Sequence, residues 1–181
     1  NTRSSRERIR RKLLEILDLF SAEGYHVQVH VTQAPKDAKN TASKEGARYD
    51  LIVCSGGDGT LNELVQGAAG SANVAVGCVP CGSGNDYVRN FGAAGQAPFL
   101  DFAAQLQAQP CRVDLLQTSL GIGIDICAAG LDAQVAYGIP KFRRLPGCGG
   151  TAAYTLSILQ AMLSRFGHKL RVAIDGKEYT G

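Results

Sequence analysis

The sequence predicts an α/β domain in which a parallel sheet carries helices on both faces. Short apolar runs such as Leu51–Cys54 and Val74–Val79 have the length and composition of buried strands. Between them lie stretches whose apolar residues recur every three or four positions, which predicts amphipathic helices. The glycine-rich turn 56–59 joins the first of these strands to the helix that follows it. Strands that alternate with helices pair in parallel, because each crossover helix packs back onto the sheet.

The elements of the first half follow from periodicity and from the residues at their ends. Apolar residues at helical spacing predict a helix from Ser5 to Glu23, which Gly24 ends. Alternation from His26 to Thr32 predicts a strand, and Pro35 opens a helix that runs toward Arg48. The later predicted elements are the strand Leu51–Cys54, the helix Thr60–Ala69, the strand Val74–Val79, a helix from Asp86, the helix Phe99–Ala108 and the strand Arg112–Thr118.

The sequence pattern of alternating strands and helices changes after Asp114. A glycine-rich stretch, 121–130, leads to two predicted helices, Asp132–Phe142 and Ala152–Phe166. A predicted strand, Lys169–Asp175, then enters a hairpin turn at Asp175-Gly176 and returns as a short second strand. We therefore predict two domains, 1–114 and 115–181, of which the second is the incomplete start of a β-rich domain.

Composition and charge exclude several classes of protein. Hydrophobic residues make up 45% of the 181 residues, enough for a buried core, and no apolar run reaches the roughly 18 residues of a membrane-spanning helix. The net charge is +3, and the basic excess lies in the first twelve residues. No aromatic residue stands among those arginines, so we expect no nucleic-acid partner. We expect a cytoplasmic protein, because the N-terminus also lacks the apolar core of a signal peptide.

Six cysteines predict neither disulfides nor a zinc site. Cys54 and Cys78 lie in buried-strand patterns, and the spacing provides only one close pair, Cys78 and Cys81. A redox role for that C-x-x-C would need Cys81 at the start of a helix with a lowered pKa. Its place just before Gly82 favours packing in a loop instead.

The turn Gly56-Gly57-Asp58-Gly59-Thr60 has the residue types that a phosphate site needs. Glycine lets backbone N–H groups approach an anion, and the first turn of a helix adds partial positive charge. Asp58 would repel a phosphate, so its presence indicates a bound cation or a proton to be moved. Asp58 is therefore the candidate catalytic residue, either as a magnesium ligand or as the acceptor of a proton, and the sequence does not separate these two roles.

A second loop, Val79-Pro80-Cys81-Gly82-Ser83-Gly84-Asn85-Asp86, follows the next strand. In parallel sheets ligands bind outside the carboxyl ends of the strands, where Thr32 and both glycine loops fall. We therefore expect them to converge on one edge. Together the two loops resemble the signature of the diacylglycerol kinase catalytic domain family, which includes bacterial lipid kinases and ceramide and sphingosine kinases. The resemblance continues through Arg112-Val113-Asp114 and Gly130-Leu131-Asp132-Ala133.

This resemblance implies a Rossmann-like, NAD kinase-like nucleotide domain followed by a β-sandwich domain. It implies ATP and Mg²⁺ as cofactors, a lipid substrate presented at the inner surface of the membrane, and a catalytic base beyond Gly181. It also implies that the first strand and loop of the nucleotide domain are missing here. The predicted nucleotide-binding residues are Thr32, Gly56, Gly57, Asp58, Gly59, Thr60, Leu61, Asn62, Glu63, Gly82, Ser83, Gly84 and Asn85, and the lipid-site candidates are Asp86 and Asp132.

Several of these residues also have a purely structural interpretation. Thr32, Asp86 and Asp132 each stand where a helix cap is needed, and Glu63 stands where a helix dipole favours an acid. Asn85 tolerates left-handed backbone. Ser83 replaces the threonine that is usual in the family, keeping the hydroxyl.

The function predicted is transfer of the ATP γ-phosphate to a hydroxyl of diacylglycerol or a related lipid. An NAD-kinase-like enzyme shares only the Gly-Gly-Asp-Gly turn, and a nucleotide-binding module without activity is the other alternative. A homodimer is left open. A P-loop ATPase and a dinucleotide dehydrogenase are disfavoured, since neither glycine signature is complete.

Overall fold

The computed structural model describes residues 3–82, 84–164 and 169–181. The chain divides into two compact units, Asn1–Ile126 and Cys127–Gly181. The predicted domain division after Asp114 remains a prediction.

The first unit alternates helices and strands in its central part. Its elements are α1 (Arg3–Ala22), α2 (Asp37–Glu45, continued by a 3₁₀ turn at Gly46–Arg48), β1 (Leu51–Gly56), α3 (Asp58–Ala68), β2 (Ala75–Pro80), α4 (Asp86–Arg89), α5 (Gly92–Leu100), α6 (Phe102–Gln107), β3 (Leu116–Thr118) and β4 (Gly121–Gly123).

Strands β1 and β2 pair in parallel, with Cys54 opposite Cys78, and their alternating side chains enter two hydrophobic clusters. Cys54 and Cys78 belong to a cluster completed by α2 and α3, whose buried residues include Leu61 and Leu64. Val79 belongs to the cluster that α1 and α6 complete. Successive residues of a strand point to opposite faces, so both faces of this sheet are covered by helices. The predicted mixed α/β architecture with a parallel sheet is confirmed.

Two predicted strands were wrong. Residues 25–33 have no regular secondary structure, because no strand in the described part of the chain lies beside them to complete a hydrogen-bonded ladder. Of Arg112–Thr118 only the last three residues form a strand, and it pairs antiparallel with β4 instead of joining the parallel sheet. A hairpin across Ser119-Leu120 closes a very short loop, which costs little entropy. The predicted helix Pro35–Arg48 begins at Asp37, after the left-handed N-cap Lys36.

The second unit contains α7 (Leu131–Phe142), α8 (Gly150–Leu163) and a hairpin of β5 (Arg171–Ile174) and β6 (Lys177–Thr180). Asp175 and Gly176 both have positive φ, 48° and 80°, as the predicted two-residue turn requires. Both helices were predicted, although Phe166, the predicted end of the second, lies outside the described residues. Whether a β-sandwich follows remains a prediction.

Candidate functional site

The first glycine turn forms the N-terminus of α3. Gly57 is the N-cap with extended backbone, and its carbonyl oxygen accepts the N–H groups of Thr60 and Leu61 at 3.0 and 3.1 Å. Those two donors are therefore committed inside the helix. The N–H groups of Asp58 and Gly59 stand at the start of the helix, where N–H groups have no carbonyl partner within the helix. Of the residues predicted to bind phosphate in this turn, these two therefore remain as backbone donors.

Residues in and next to this turn differ in how closely they are packed. A Cβ added to Gly59 would meet no heavy atom within 4 Å, so the space in front of this residue is open. Leu61 is only 2% exposed, and its side chain serves the hydrophobic core. Gly56 is closely packed as well, since an added Cβ would lie 2.8 Å from the Cβ of Thr60.

The second glycine loop contacts the first through its backbone. A Cβ on Gly82 would lie 2.6 Å from the Cα of Gly57, and one on Gly57 would lie 3.0 Å from the Cα of Gly82. Such distances exclude a side chain at either position without movement of the backbone. The predicted meeting of the two loops at the carboxyl end of the parallel strands is therefore seen for Gly57 and Gly82.

The Asp58 carboxylate joins the two loops by hydrogen bonds. Its Oδ2 accepts the Asn85 N–H at 2.8 Å, and its Oδ1 accepts the Tyr87 N–H at 3.3 Å. These donors lie at the start of α4, so Asp58 satisfies N–H groups that a helix of four residues cannot satisfy itself. The carboxylate thus holds α4 against the N-terminus of α3.

A second carboxylate approaches the same place. The position that a Cβ of Gly84 would occupy lies 3.1 Å from the Asp58 Oδ2 and 2.9 Å from the Asp86 Oδ2. The other oxygen of Asp86 accepts a hydrogen bond from Arg89 Nη1 at 3.1 Å. Asp86, a lipid-site candidate from the sequence, therefore has a carboxylate oxygen on the same side of Gly84 as the Asp58 carboxylate.

Two thiols lie beneath the loops. Cys54 and Cys78 are buried, and burial raises the pKa of each thiol to about 12, with smaller contributions from neighbouring groups that include the Asp58 carboxylate. Thiols with such raised pKa values stay protonated and unreactive at neutral pH. Cys81 is buried too, so this part of the C-x-x-C belongs to the core and not to a helix start.

The sequence profile of the diacylglycerol kinase catalytic domain matches residues 1–118. The chain belongs to the diacylglycerol kinase catalytic domain family.

The curated relatives of this domain described below are each named diacylglycerol kinase. The chain is 29% identical over 183 residues to the diacylglycerol kinase of Bacillus subtilis (strain 168), a match that covers 100% of this chain and 60% of the relative. It is 30% identical over 186 residues to that of Staphylococcus haemolyticus (strain JCSC1435), covering 100% and 54%, and 29% identical to that of Staphylococcus aureus (strain MRSA252), covering 100% and 57%. The chain thus spans little more than half the length of these relatives.

The structure does not gather every predicted residue of the diacylglycerol kinase signature. Thr32 lies in the irregular segment before α2 and does not cap that helix, whose N-cap is Lys36. Asn62 and Glu63 are half-buried in α3, and their side chains have no hydrogen bond or ion pair with any residue that the structure describes. Ser83 lies outside the described residues.

Asp132, the other lipid-site candidate, belongs to the second unit. It is exposed in the first turn of α7, where the N-cap is Gly130, so it does not cap that helix. A cavity of about 600 Å³ lies between α7 and α8, with Ala133, Tyr137 and Lys141 among its lining residues. Asp132 itself does not line this cavity.

Sequence reasoning missed the part played by Tyr87, whose backbone N–H completes the hydrogen bonds of Asp58. No signal in the sequence could have shown it, because any residue at that position offers the same N–H group. The left-handed backbone that the sequence allows for Asn85 is present, with φ 56°. The structural interpretation of Asp86 as the cap of the following helix is wrong, because Asn85 occupies the N-cap position of α4.

Carboxylate oxygens are suitable ligands for Mg²⁺, which binds one or two carboxylates and keeps several waters. Asp58 and Asp86 supply two such groups on the same side of Gly84, and each Asp58 oxygen retains a lone pair beyond its N–H bond. Within residues 3–82, 84–164 and 169–181, no cluster of three or more histidines, cysteines or acids forms a metal-binding group. The residues present fit a water-rich magnesium site better than a metal cage formed by the protein alone.

Proposed function

We propose that this chain is the nucleotide-binding part of an ATP-dependent lipid kinase, which transfers the ATP γ-phosphate to a hydroxyl of diacylglycerol or a related lipid. The observation that carries the proposal is the open N-terminus of α3 at Gly59, next to the Asp58 carboxylate, which also binds Asn85 of the second loop. The relatives named diacylglycerol kinase support diacylglycerol as the acceptor.

The proposed reaction asks the protein mainly to position the phosphates and to neutralise their charge. The N–H groups of Asp58 and Gly59 would bind phosphate oxygens, and the helix dipole would favour the negative charge. The Thr60 hydroxyl would serve as an additional donor. Gly59 permits close approach, because it places no side chain in front of these donors.

Magnesium, when bound, would neutralise charge on the β- and γ-phosphates and orient the γ-phosphate for transfer. Asp58 and Asp86 are the residues that would hold it, directly or through water. The Asp58 carboxylate would bind the metal while it also accepts the N–H groups of Asn85 and Tyr87. Metal binding would therefore depend on the position of the second loop.

The acceptor in this proposal is an amphiphile that the enzyme meets at a membrane surface. No helix in the described part of the chain is long and apolar enough to cross a bilayer. The basic residues near the N-terminus carry charge of the sign that anionic lipids attract. Peripheral association with the inner surface of the membrane is therefore part of the proposal.

A kinase assay with labelled ATP and Mg²⁺ tests the proposal. The acceptors are diacylglycerol, a sphingoid base, ceramide and NAD, and we expect label in diacylglycerol or a related lipid. Transfer to NAD would favour the NAD-kinase-like alternative. The assay uses the full-length protein, because the catalytic base is expected beyond Gly181. ATP binding by that protein without transfer to any acceptor would favour a non-catalytic nucleotide-binding module and contradict the proposed kinase activity.

The variant Asp58→Asn tests the proposed role of the carboxylate. We expect turnover to fall by about 10²-fold or more, the scale of a lost electrostatic stabiliser. Asp101→Asn is the matched control, because Asp101 also accepts a backbone N–H at a helix start, from Ala104 at 3.1 Å, and lies in a different loop. Turnover of Asp58→Asn within twofold of Asp101→Asn would remove Asp58 from the mechanism.

A further inference from the structure

We propose that Asn85 is a positioning residue, which fixes the shape of the second glycine loop and acts on the nucleotide through Gly82 and Asp58. The inference rests on the proposed function, since it concerns the same phosphate site. It differs from the sequence prediction, in which Asn85 contacts the nucleotide itself.

Both the oxygen and the nitrogen of the Asn85 side-chain amide bond to a single residue. Its Oδ1 accepts the Gly82 N–H at 2.8 Å, and its Nδ2 donates to the Gly82 carbonyl oxygen at 3.2 Å. The amide therefore pairs with both backbone polar groups of Gly82, as a neighbouring strand would. This pairing holds Gly82 and Asn85 together, and the Asn85 backbone is left-handed, with φ 56° and ψ 47°.

The backbone of Asn85 is fixed independently of its side chain. Its N–H donates to the Asp58 Oδ2 at 2.8 Å, and the same carboxylate accepts the Tyr87 N–H at 3.3 Å. Gly82, at the other end of the loop, lies in backbone contact with Gly57. The contacts thus form a closed circuit: Gly57 meets Gly82, Gly82 pairs with Asn85, Asn85 binds Asp58, and Asp58 follows Gly57 in the chain.

Gly82 and Asn85 are held by these contacts without any ligand. Preorganisation raises affinity because less conformational freedom is lost on binding. Both polar ends of the Asn85 amide are used inside the loop, so the residue would act by holding the loop against the N-terminus of α3. The open donors of Asp58 and Gly59 would then face a fixed neighbour.

The test compares Asn85→Gly with Asn90→Ala by calorimetric titration with ATP in the presence of Mg²⁺. Glycine adopts φ 56° freely, so this variant removes the amide and keeps the backbone. Asn90 is the matched control, because its side-chain amide also makes a hydrogen bond, from Nδ2 to Asp125 Oδ1 at 2.7 Å. Neither Asn90 nor Asp125 belongs to the glycine loops. The φ of Asn90 is −61°, which alanine adopts without strain. We expect the Kd for ATP to rise about tenfold or more in Asn85→Gly and to stay within twofold in Asn90→Ala.

A double-mutant cycle with Asp58→Asn separates positioning from direct contact. If Asn85 acts through the circuit, Asn85→Gly should add less than twofold to the loss already caused by Asp58→Asn, because residues in one network couple. Multiplicative losses would assign Asn85 an independent contact with the nucleotide and overturn the inference. Faster hydrogen exchange at the Gly82 N–H in Asn85→Gly gives a second readout.

Two failures are distinguishable. If the unmodified chain binds ATP and Asn85→Gly binds it equally well, the positioning role is wrong while the proposed function stands. If the unmodified chain does not bind ATP at all, the proposed function and this inference both fall.

Discussion

Two glycines of the candidate site are needed for different physical reasons. An added Cβ on Gly82 would collide with the backbone of Gly57 at 2.6 Å, whereas one on Gly59 would meet nothing within 4 Å. The fold therefore explains glycine at 82 but not at 59. Under the proposed function, close approach of the nucleotide phosphates to the helix N-terminus would account for glycine at 59.

Substitution of each glycine by alanine tests this distinction. Gly59→Ala should leave the free energy of unfolding within about 1 kcal/mol of its original value, since alanine is the better helix former. Its added methyl should still weaken ATP binding by about tenfold or more, because the open donors are covered. Gly82→Ala should lower the free energy of unfolding by about 1–3 kcal/mol. Chemical denaturation and ATP titration measure both effects, and unchanged ATP affinity in Gly59→Ala would place the phosphates elsewhere.

At the scale of single residues, the sequence predicted part of the site, namely the meeting of the two glycine loops, but not what each residue does. The convergence of Gly57 with Gly82 followed from parallel strand ends, and the contact is present. The direction of the Asn85 amide could not be predicted, because a left-handed backbone turns the side chain back onto its own loop. Thr32 was placed through a strand that the structure lacks, so its part in the site stays a prediction.

At the scale of elements, α2 packs closely against the C-terminal part of α3, the helix that begins at the first glycine turn. A Cβ on Gly67 would lie 2.3 Å from the Lys39 carbonyl oxygen and 2.8 Å from the Ala42 Cβ. The two helices therefore touch through backbone at this point. Lys39 Nζ also donates to Gln66 Oε1 at 3.1 Å, beside the crossing.

The variant Gly67→Ala tests the importance of this crossing. In an isolated helix alanine would be favoured by about 1 kcal/mol, but here its methyl would push the Lys39 backbone away. We expect the clash to prevail and to lower the free energy of unfolding by about 1–3 kcal/mol in chemical denaturation. Gly70→Ala, just beyond the same helix and with open space around it, should change it by less than about 0.5 kcal/mol. Equal stability of the two variants would show that α2 and α3 separate at no cost.

Elements with strong periodicity were predicted best. The helices α1 and α3 and the strands β1 and β2 appear within a few residues of their predicted ends. Alternation alone did not make His26–Thr32 a strand, since strand formation depends on a partner that the pattern does not report. Likewise, the last residues of the segment that ends at Thr118 pair in a local hairpin and not with the parallel sheet. Periodicity does not show which of these two pairings is the more stable.

At the scale of the whole molecule, each unit has its own packing. The first unit has hydrophobic clusters on both faces of the β1–β2 sheet. In the second unit, α7 and α8 pack through small buried residues of α8, namely Ala153, Ser157 and Ala161. Ser157 Oγ donates to the Val135 carbonyl oxygen at 2.6 Å, which ties α8 to the backbone of α7. All the contacts described above for the glycine turn 56–60 lie within the first unit.

A substitution in the second unit should therefore leave nucleotide binding intact. Gly138→Val would place a Cβ about 2.1 Å from the buried Ser157 Oγ, so the α7–α8 contact must open. We expect faster hydrogen exchange in α7 and α8, measured by mass spectrometry, and a Kd for ATP within twofold of its original value. Gly149→Val is the control in the same unit, because its added Cβ meets nothing within 4 Å, and it should change neither quantity. A Kd that rises together with the exchange rate would mean that the phosphate site needs the second unit, and the first unit could then no longer be regarded as sufficient for nucleotide binding.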